Sequence, residues 1–463
     1  MDRKTAKPAT SARNAQTTPK AKPAAARRKA TGQTNAQASA SAAARKPRLL
    51  WANPFCLLDT SSGASMAVRE MLLQLVAQGW EVRVLGATIF DADKGTLRLR
   101  PHWSTFEARH NSIVTVNDGP LVHRLLATRS IVRQQMTAQE EGTWYTAYLK
   151  LLETFKPDLV YFYGGQTLDM LIPDEAHARG IPVAAYLANG NYQATRWCRD
   201  VDLIITDSQA TSDMYAERQG FRAVPVGAFI DPAPVLASQH SRQHVLLVNP
   251  SLAKGAGIVI QLALQLEKRR PDITFEVVES RGNWHQLVRQ ISSALGEPRE
   301  SLRNVIVTPN TTDMRPIYGR ARLLLAPSLW WESFGRVAAE AMMNGIPALV
   351  SNRGGLPEVI GNGGLKVDFP ADCYEAPYTK LPSPELLQPL IACIERFHDD
   401  PAFYQRYAER ALQQGQHHRI EVSTQRLLDA FAPLIAQRAG DRDPAATLRG
   451  HKQLRPEREA VAR

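Results

Sequence analysis

At 463 residues the chain is long enough for two or three domains with full cores, and 44% hydrophobic with 22% charged residues is a globular rather than a fibrous composition. No apolar run approaches the ~18 residues that a membrane-spanning helix needs. The net charge of +11 suggests nucleic acid until it is located: +10 lies before Pro47, +2 after Gly440, and the body carries −1, so no specific nucleic-acid partner is expected.

In chain order, residues 1–46 hold no bulky apolar side chain beyond Met1, cannot bury enough surface to offset ordering entropy, and are expected to form a disordered basic tail. They lack the apolar stretch of a secretory signal. Four scattered cysteines without a C-x-x-C fit reduced thiols in a cytoplasmic protein. From residue 48 apolar runs alternate with helical patterns, as parallel α/β architecture requires. Strand 48–52, loop 59–65 containing Gly63, helix 66–78 and strand 81–85 open a first domain, 47–231. Residues 97–150 resist assignment, although 131–155 has helical character with Trp144, Tyr145, Tyr148, Leu149 and Leu152 on one stripe. Arg124, Arg129 and Arg133 flank it. A packed stripe with solvated arginines is favoured there over a membrane-facing patch.

Strands follow at 157–163, 181–187 and 203–206, and the ends of the first two, with Asn189 and Asn191 on the second, should open onto a cleft. Asp200-Val201-Asp202 has the form of a D-x-D metal motif, but D-x-D recurs at Asp91 and Asp441, and the strand that follows favours a structural role. No metal is expected. Residues 232–243 read as a linker, 244–418 as a second domain, 419–440 as a terminal helix and 441–463 as a second disordered tail. The second domain opens with strand 245–248 and a loop holding Asn249, Lys254 and Gly255, followed by strands at 274–279, 304–308 and 323–326.

Residues 327–345, PSLWWESFGRVAAEAMMNG, then carry a buried strand through a turn into a short helix. Ser333 reads as the N-cap, and the amides from Phe334 through Gly335 and Arg336 to Val337 as donors to an anion at the positive end of the helix. Gly335 permits close approach of that anion. Glu332 and Glu340 bracket it, each able to accept hydroxyl hydrogen bonds.

Residues 327–358, with the E-x7-E pair Glu332 and Glu340, the S-F-G turn, the E-A-M-x-x-G-x-P helix end and the G-G-L-x-E that follows, resemble the signature of the retaining glycosyltransferase family 4. The resemblance spans about residues 48–437 and implies the GT-B fold, two Rossmann-like doubly wound domains facing a cleft. It implies transfer of a sugar from a nucleotide sugar to a hydroxyl acceptor with retention, without a metal or resident cofactor. By that resemblance Glu332 and Lys254 are catalytic. Glu340 holds the ribose, and Ser333, Phe334, Gly335, Arg336, Val337 and Asn249 border the donor. Gly63, Asn189 and Asn191 stand on the acceptor side, and loop 308–314 receives the base. Asn249 stands where the family commonly has an arginine, so Arg336 or Arg281 is expected to supply the missing cation. The acceptor implied is a glycan or lipid-linked hydroxyl in surface-glycan synthesis, lipopolysaccharide or exopolysaccharide, with peripheral contact at the inner face of the membrane. Two other readings stay open: a binding or scaffolding protein with a degenerate cleft, and a nucleotide-sugar epimerase or glycogen-type synthase.

Overall fold

The computed structural model describes residues 45–280 and 282–440, the side chains of 437–440 excepted. Residues 1–44 of the expected tail, the tail 441–463 and Arg281 lie outside the described residues.

The first sheet has eight strands: β1 (Arg48–Ala52), β2 (Glu81–Ala87), β3 (Ile113–Asp118), β4 (Leu121–Leu126), β5 (Leu159–Phe162), β6 (Val183–Leu187), β7 (Leu203–Thr206) and β8 (Val224–Pro225). Their order is β3-β4-β2-β1-β5-β6-β7-β8, parallel throughout except for the β3–β4 hairpin. The second sheet has six: β9 (His244–Val248), β10 (Phe275–Val278), β11 (Val305–Thr308), β12 (Ala321–Ala326), β13 (Ala348–Ser351) and β14 (Gly364–Val367). They are ordered β11-β10-β9-β12-β13-β14 and all pair in parallel.

Central strands are apolar on both faces because helices cover both faces. In β1, Leu49, Leu50, Trp51 and Ala52 are fully buried; in β12 so are Leu323 and Leu324. Trp51 sets its ring edge against Tyr161 at 4.9 Å, and Tyr161 in turn meets Phe431 of the terminal helix Ile420–Gly440 at 5.6 Å. The last helix therefore closes the core of the first sheet, with Ile420, Leu427 and Leu434 beside Phe431.

Chain order reverses direction at β1, which lies between β2 and β5, and at β9, which lies between β10 and β12. Crevices open beyond the carboxyl ends of strands at such points. The loops after β9 and β12 are the ones that carry Lys254 and Glu332.

Two expectations change. The first helix is Gly63–Ala77, capped by Ser62, whose hydroxyl accepts from the Ser65 N–H, so Gly63 is its first residue rather than part of the preceding loop. Gly63 is exposed, and an added Cβ there would meet nothing within 4 Å, so the backbone does not require a glycine. In the stretch that resists assignment, β3 and β4 form a hairpin, and the helix is Ala138–Phe155, begun by a Thr137–Glu140 capping box. It buries Trp144, Tyr148, Leu151, Leu152 and Phe155. Arg133 is not solvated: it is 5% exposed and donates to Glu141 at 2.9 Å.

Candidate active site

Asn249 follows β9 with φ 60°, in the left-handed region that Asn tolerates better than most side chains, and its N–H still pairs with Val278 O at 2.8 Å. That turn starts the loop whose Lys254 stands one residue before Gly255. Gly255 has φ 78° and caps the helix Ala256–Arg269. A Cβ at Gly255 would lie 2.1 Å from Pro327 O, so only glycine lets this loop touch the one after β12. The two loops are stitched together: Leu329 and Trp330 N–H groups both donate to Ala253 O at 2.9 Å, and Ser328 Oγ lies 3.2 Å from it.

This stitching brings the two residues expected to be catalytic face to face. Lys254 Nζ donates to Glu332 Oε1, which also accepts from Ser328 Oγ at 2.9 Å. The ammonium side chain is 33% and the carboxylate side chain 15% exposed, so both reach solvent in the crevice. The peptide that bears Glu332 is backed by Gly354 and Gly355: Gly355 N–H donates to Glu332 O at 2.8 Å, and a Cβ at Gly354 would lie 2.1 Å from that oxygen.

The helix of the motif is Arg336–Met343, and its cap is Gly335 at φ 101°, not Ser333. Ser333 is withdrawn from capping because its hydroxyl donates to Ala188 O at 2.9 Å. The Arg336 and Val337 amides precede the first bond of the turn, Ala338 N–H to Gly335 O at 2.9 Å, and are the groups an anion would meet. Phe334 is 6% exposed and sets its ring edge-on to His418 at 5.6 Å, so its side chain packs rather than binds.

Glu340 is 5% exposed and both its oxygens are engaged: Arg336 Nε donates to Oε1 at 2.7 Å and the Tyr318 hydroxyl to Oε2 at 2.6 Å. Arg336 also donates to Phe229 O at 3.4 Å, so the cation expected to replace an arginine at position 249 already serves a carboxylate. Tyr318, on the helix Arg315–Arg320, carried no signal in the motif because it lies 22 residues from Glu340.

From the first sheet, residues 188–191 come directly against this loop. Tyr215 OH donates to Asn189 O at 2.8 Å, and Asn191 N–H donates to Asn189 Oδ1 at 3.0 Å, a local Asx turn. Gly190 is pressed on Trp331, whose Cδ1 would be 3.1 Å from an added Cβ. Trp331 carries no role in the motif as read from sequence; its indole N–H donates to Thr211 Oγ1 at 3.4 Å, and Arg218 and Arg353 each lie 5.9 Å from its ring. Asp207 directly follows β7. Burial pushes its carboxyl up to about 7, against the hydrogen bond from Tyr186 and the field of Arg336. Asp202 accepts from Val183 N–H at 2.8 Å and Asp200 pairs with Arg199, which gives the D-x-D carboxylates structural employment.

Residues 243–373 match the family model of Glycosyl transferases group 1. The spore coat protein SA of Bacillus subtilis (strain 168) is 30% identical over 129 residues, 27% of this chain, and that stretch spans only 34% of the relative's length. A glycosyltransferase from Rickettsia africae ESF-5 superposes with a TM-score of 0.62 at 13% identity, covering 84% of this chain and 99% of that one. Anabaena Alr3699/HepE in complex with UDP-glucose superposes with a TM-score of 0.58 at 16% identity, covering 83% and 99%. The chain has the GT-B fold, and the part of it that matches Glycosyl transferases group 1 is the part that carries Lys254, Glu332 and Glu340.

Proposed function

We propose that the protein is a retaining, metal-independent glycosyltransferase that moves a sugar from a nucleotide sugar, a UDP-hexose being the first to test, to a hydroxyl acceptor in surface-glycan synthesis. The observation that carries this reading is the Lys254–Glu332 pair on two loops stitched together at a topological switch point, next to the first-turn amides of Arg336 and Val337. In this reading residues 47–231 form the acceptor side, 232–243 the linker, 244–418 the donor side and 419–440 the crossing helix. The acceptor is a glycan or lipid-linked hydroxyl met at the inner face of the membrane; among the described residues no helix is long and apolar enough to cross it.

The chemistry follows from charge. A diphosphate leaving group gains negative charge as the glycosidic bond breaks, and donors already aimed at it lower the barrier without reorganising. Lys254 would leave Glu332 for the diphosphate, freeing the carboxylate to hold hydroxyls of the sugar. The amides of Arg336 and Val337 would take the second phosphate face. With no general base needed on the acceptor side, the departing phosphate oxygen accepts the acceptor proton, which favours retention.

UDP release from UDP-glucose in the presence of an acceptor mixture tests this, with the anomeric proton of the product read by NMR. Glu332→Gln should slow release by about 100-fold, the cost of removing one preorganised transition-state partner. Equal rates in the two proteins contradict the reading. The engagement of both Glu340 oxygens, which leaves neither free for a ribose, favours a second reading, a binding or scaffolding protein with a degenerate cleft. It predicts neither nucleotide binding nor turnover.

A further inference from the structure

Glu358, on the short helix Leu356–Ile360, has no part in the reaction above. Its carboxylate reaches across to the first sheet's side of the crevice: Gln209 N–H donates to Oε1 at 3.1 Å and Ala210 N–H to Oε2 at 3.0 Å. These are first-turn donors of the helix Gln209–Gln219, which have no partner inside their own helix and meet a negative charge at the positive end of its dipole.

The same helix start grips the donor loop a second time. Ser208, its N-cap, accepts from Thr211 N–H at 3.1 Å while its hydroxyl donates to Ser333 O. The Thr211 hydroxyl donates to that carbonyl as well, at 3.1 Å. Ser333 Oγ donates in turn to Ala188 O. Ser333 is thus tied to the loops after β6 and β7, and it sits between Glu332 and the Gly335 cap. The segment leading to Glu358 is also tied to Glu332, because Gly355 N–H donates to Glu332 O at 2.8 Å and a Cβ at Gly354 would lie 2.1 Å from that oxygen.

We propose that Glu358, Ser208 and Thr211 form a latch by which the acceptor side sets the geometry of the loop 332–335, so that the nucleotide site is complete only when the latch is closed. The proposal rests on the nucleotide-sugar reading for its ligand, and names positioning residues, not catalytic ones.

The test uses the full chain, Glu358→Ala, the pair Ser208→Ala with Thr211→Val, and Ser208→Thr as the conservative control that keeps a hydroxyl. Glu358 is exposed, so its truncation leaves the cores packed. UDP affinity is measured by calorimetry, donor KM and kcat by UDP release, and the radius of gyration by small-angle scattering. The latch predicts that Glu358→Ala and the double variant raise the Kd for UDP and the donor KM at least fivefold with kcat within twofold, expand the particle, and that Ser208→Thr restores wild-type values. Wild-type Kd and scattering in both loss variants overturn it. If the wild type binds no UDP, the nucleotide-sugar reading fails separately, and scattering alone decides the latch: an unchanged radius of gyration in every variant overturns it, an expanded one supports it.

Discussion

Lys254 and Glu332 meet where both still touch water, so their attraction adds little to folding, about 0–1 kcal/mol, and in the proposed function its value lies in holding charge in place for a ligand. Lys254→Ala should therefore leave the melting temperature within a few degrees while abolishing measurable nucleotide binding in the same sample; a large loss of stability with binding intact contradicts this. Asp169 is the opposite case, a carboxyl 1% exposed beside Gly164, and burial pushes it up to about 6 against the field of Arg133 and the amides of Gln166 and Gly165. Because the folded state keeps the proton after the unfolded state has lost it near 3.8, this group's contribution to stability is full below that pH and is lost as pH rises through about 6. The expected loss is about 3 kcal/mol, and Asp169→Asn should flatten the denaturant-derived stability profile between pH 4 and 6. Single residues were legible where the motif was contiguous and illegible where partners come from afar. Glu332 and Glu340 stand out in sequence, but that Tyr318 occupies one Glu340 oxygen depends on a contact across 22 positions. Ser333 had the chemistry of an N-cap, and Ala188, brought in by another strand, took its hydroxyl.

The element that decides the site is the pair of loops joined at Gly255. Gly255→Ala places a methyl against Pro327 O in a left-handed conformation that alone costs a non-glycine residue ~1–2 kcal/mol, so the variant should lose at least that much stability by denaturant titration and lose nucleotide affinity along with it. Loss of stability without loss of affinity would show that the loop contact does not shape the site. Phe431→Ala in the terminal helix should cost about 3–5 kcal/mol by calorimetric or chemical denaturation, since it removes a fully buried ring from against Tyr161 and Trp80. Strands β7, β9 and β12 were readable because buried parallel strands are short apolar runs with loop residues at their ends. The β3–β4 hairpin was not, although Val114 and Val116 alternate with exposed Thr115 and Asn117 and the Asn117-Asp118-Gly119-Pro120 turn is present in the sequence. Its signal was diluted by the short helical turns at 93–108, which interrupt any regular period.

At the scale of the molecule, two doubly wound sheets meet through polar contacts and through Trp331, which packs on the apolar cluster of the first sheet. Glu358, Ser208, Thr211 and Ser333 cross on one side, and Lys94 Nζ donates to Ser280 O at 3.1 Å on another. The GT-B architecture was legible from the alternation of strands and helices together with one motif, whereas the way the halves touch was not, because hydroxyls and backbone carbonyls leave no spacing to read. The central claim is that this crevice binds a nucleotide. Its most direct test is the melting temperature of the wild type and of Glu340→Ala with UDP, GDP, ADP and dTDP, because a ligand that binds only the folded state stabilises it by RT ln(1 + [L]/Kd). One nucleotide, UDP by the reading above, should raise the wild-type melting temperature, and Glu340→Ala should abolish the rise. No rise with any of the four, or an equal rise in both proteins, would contradict it.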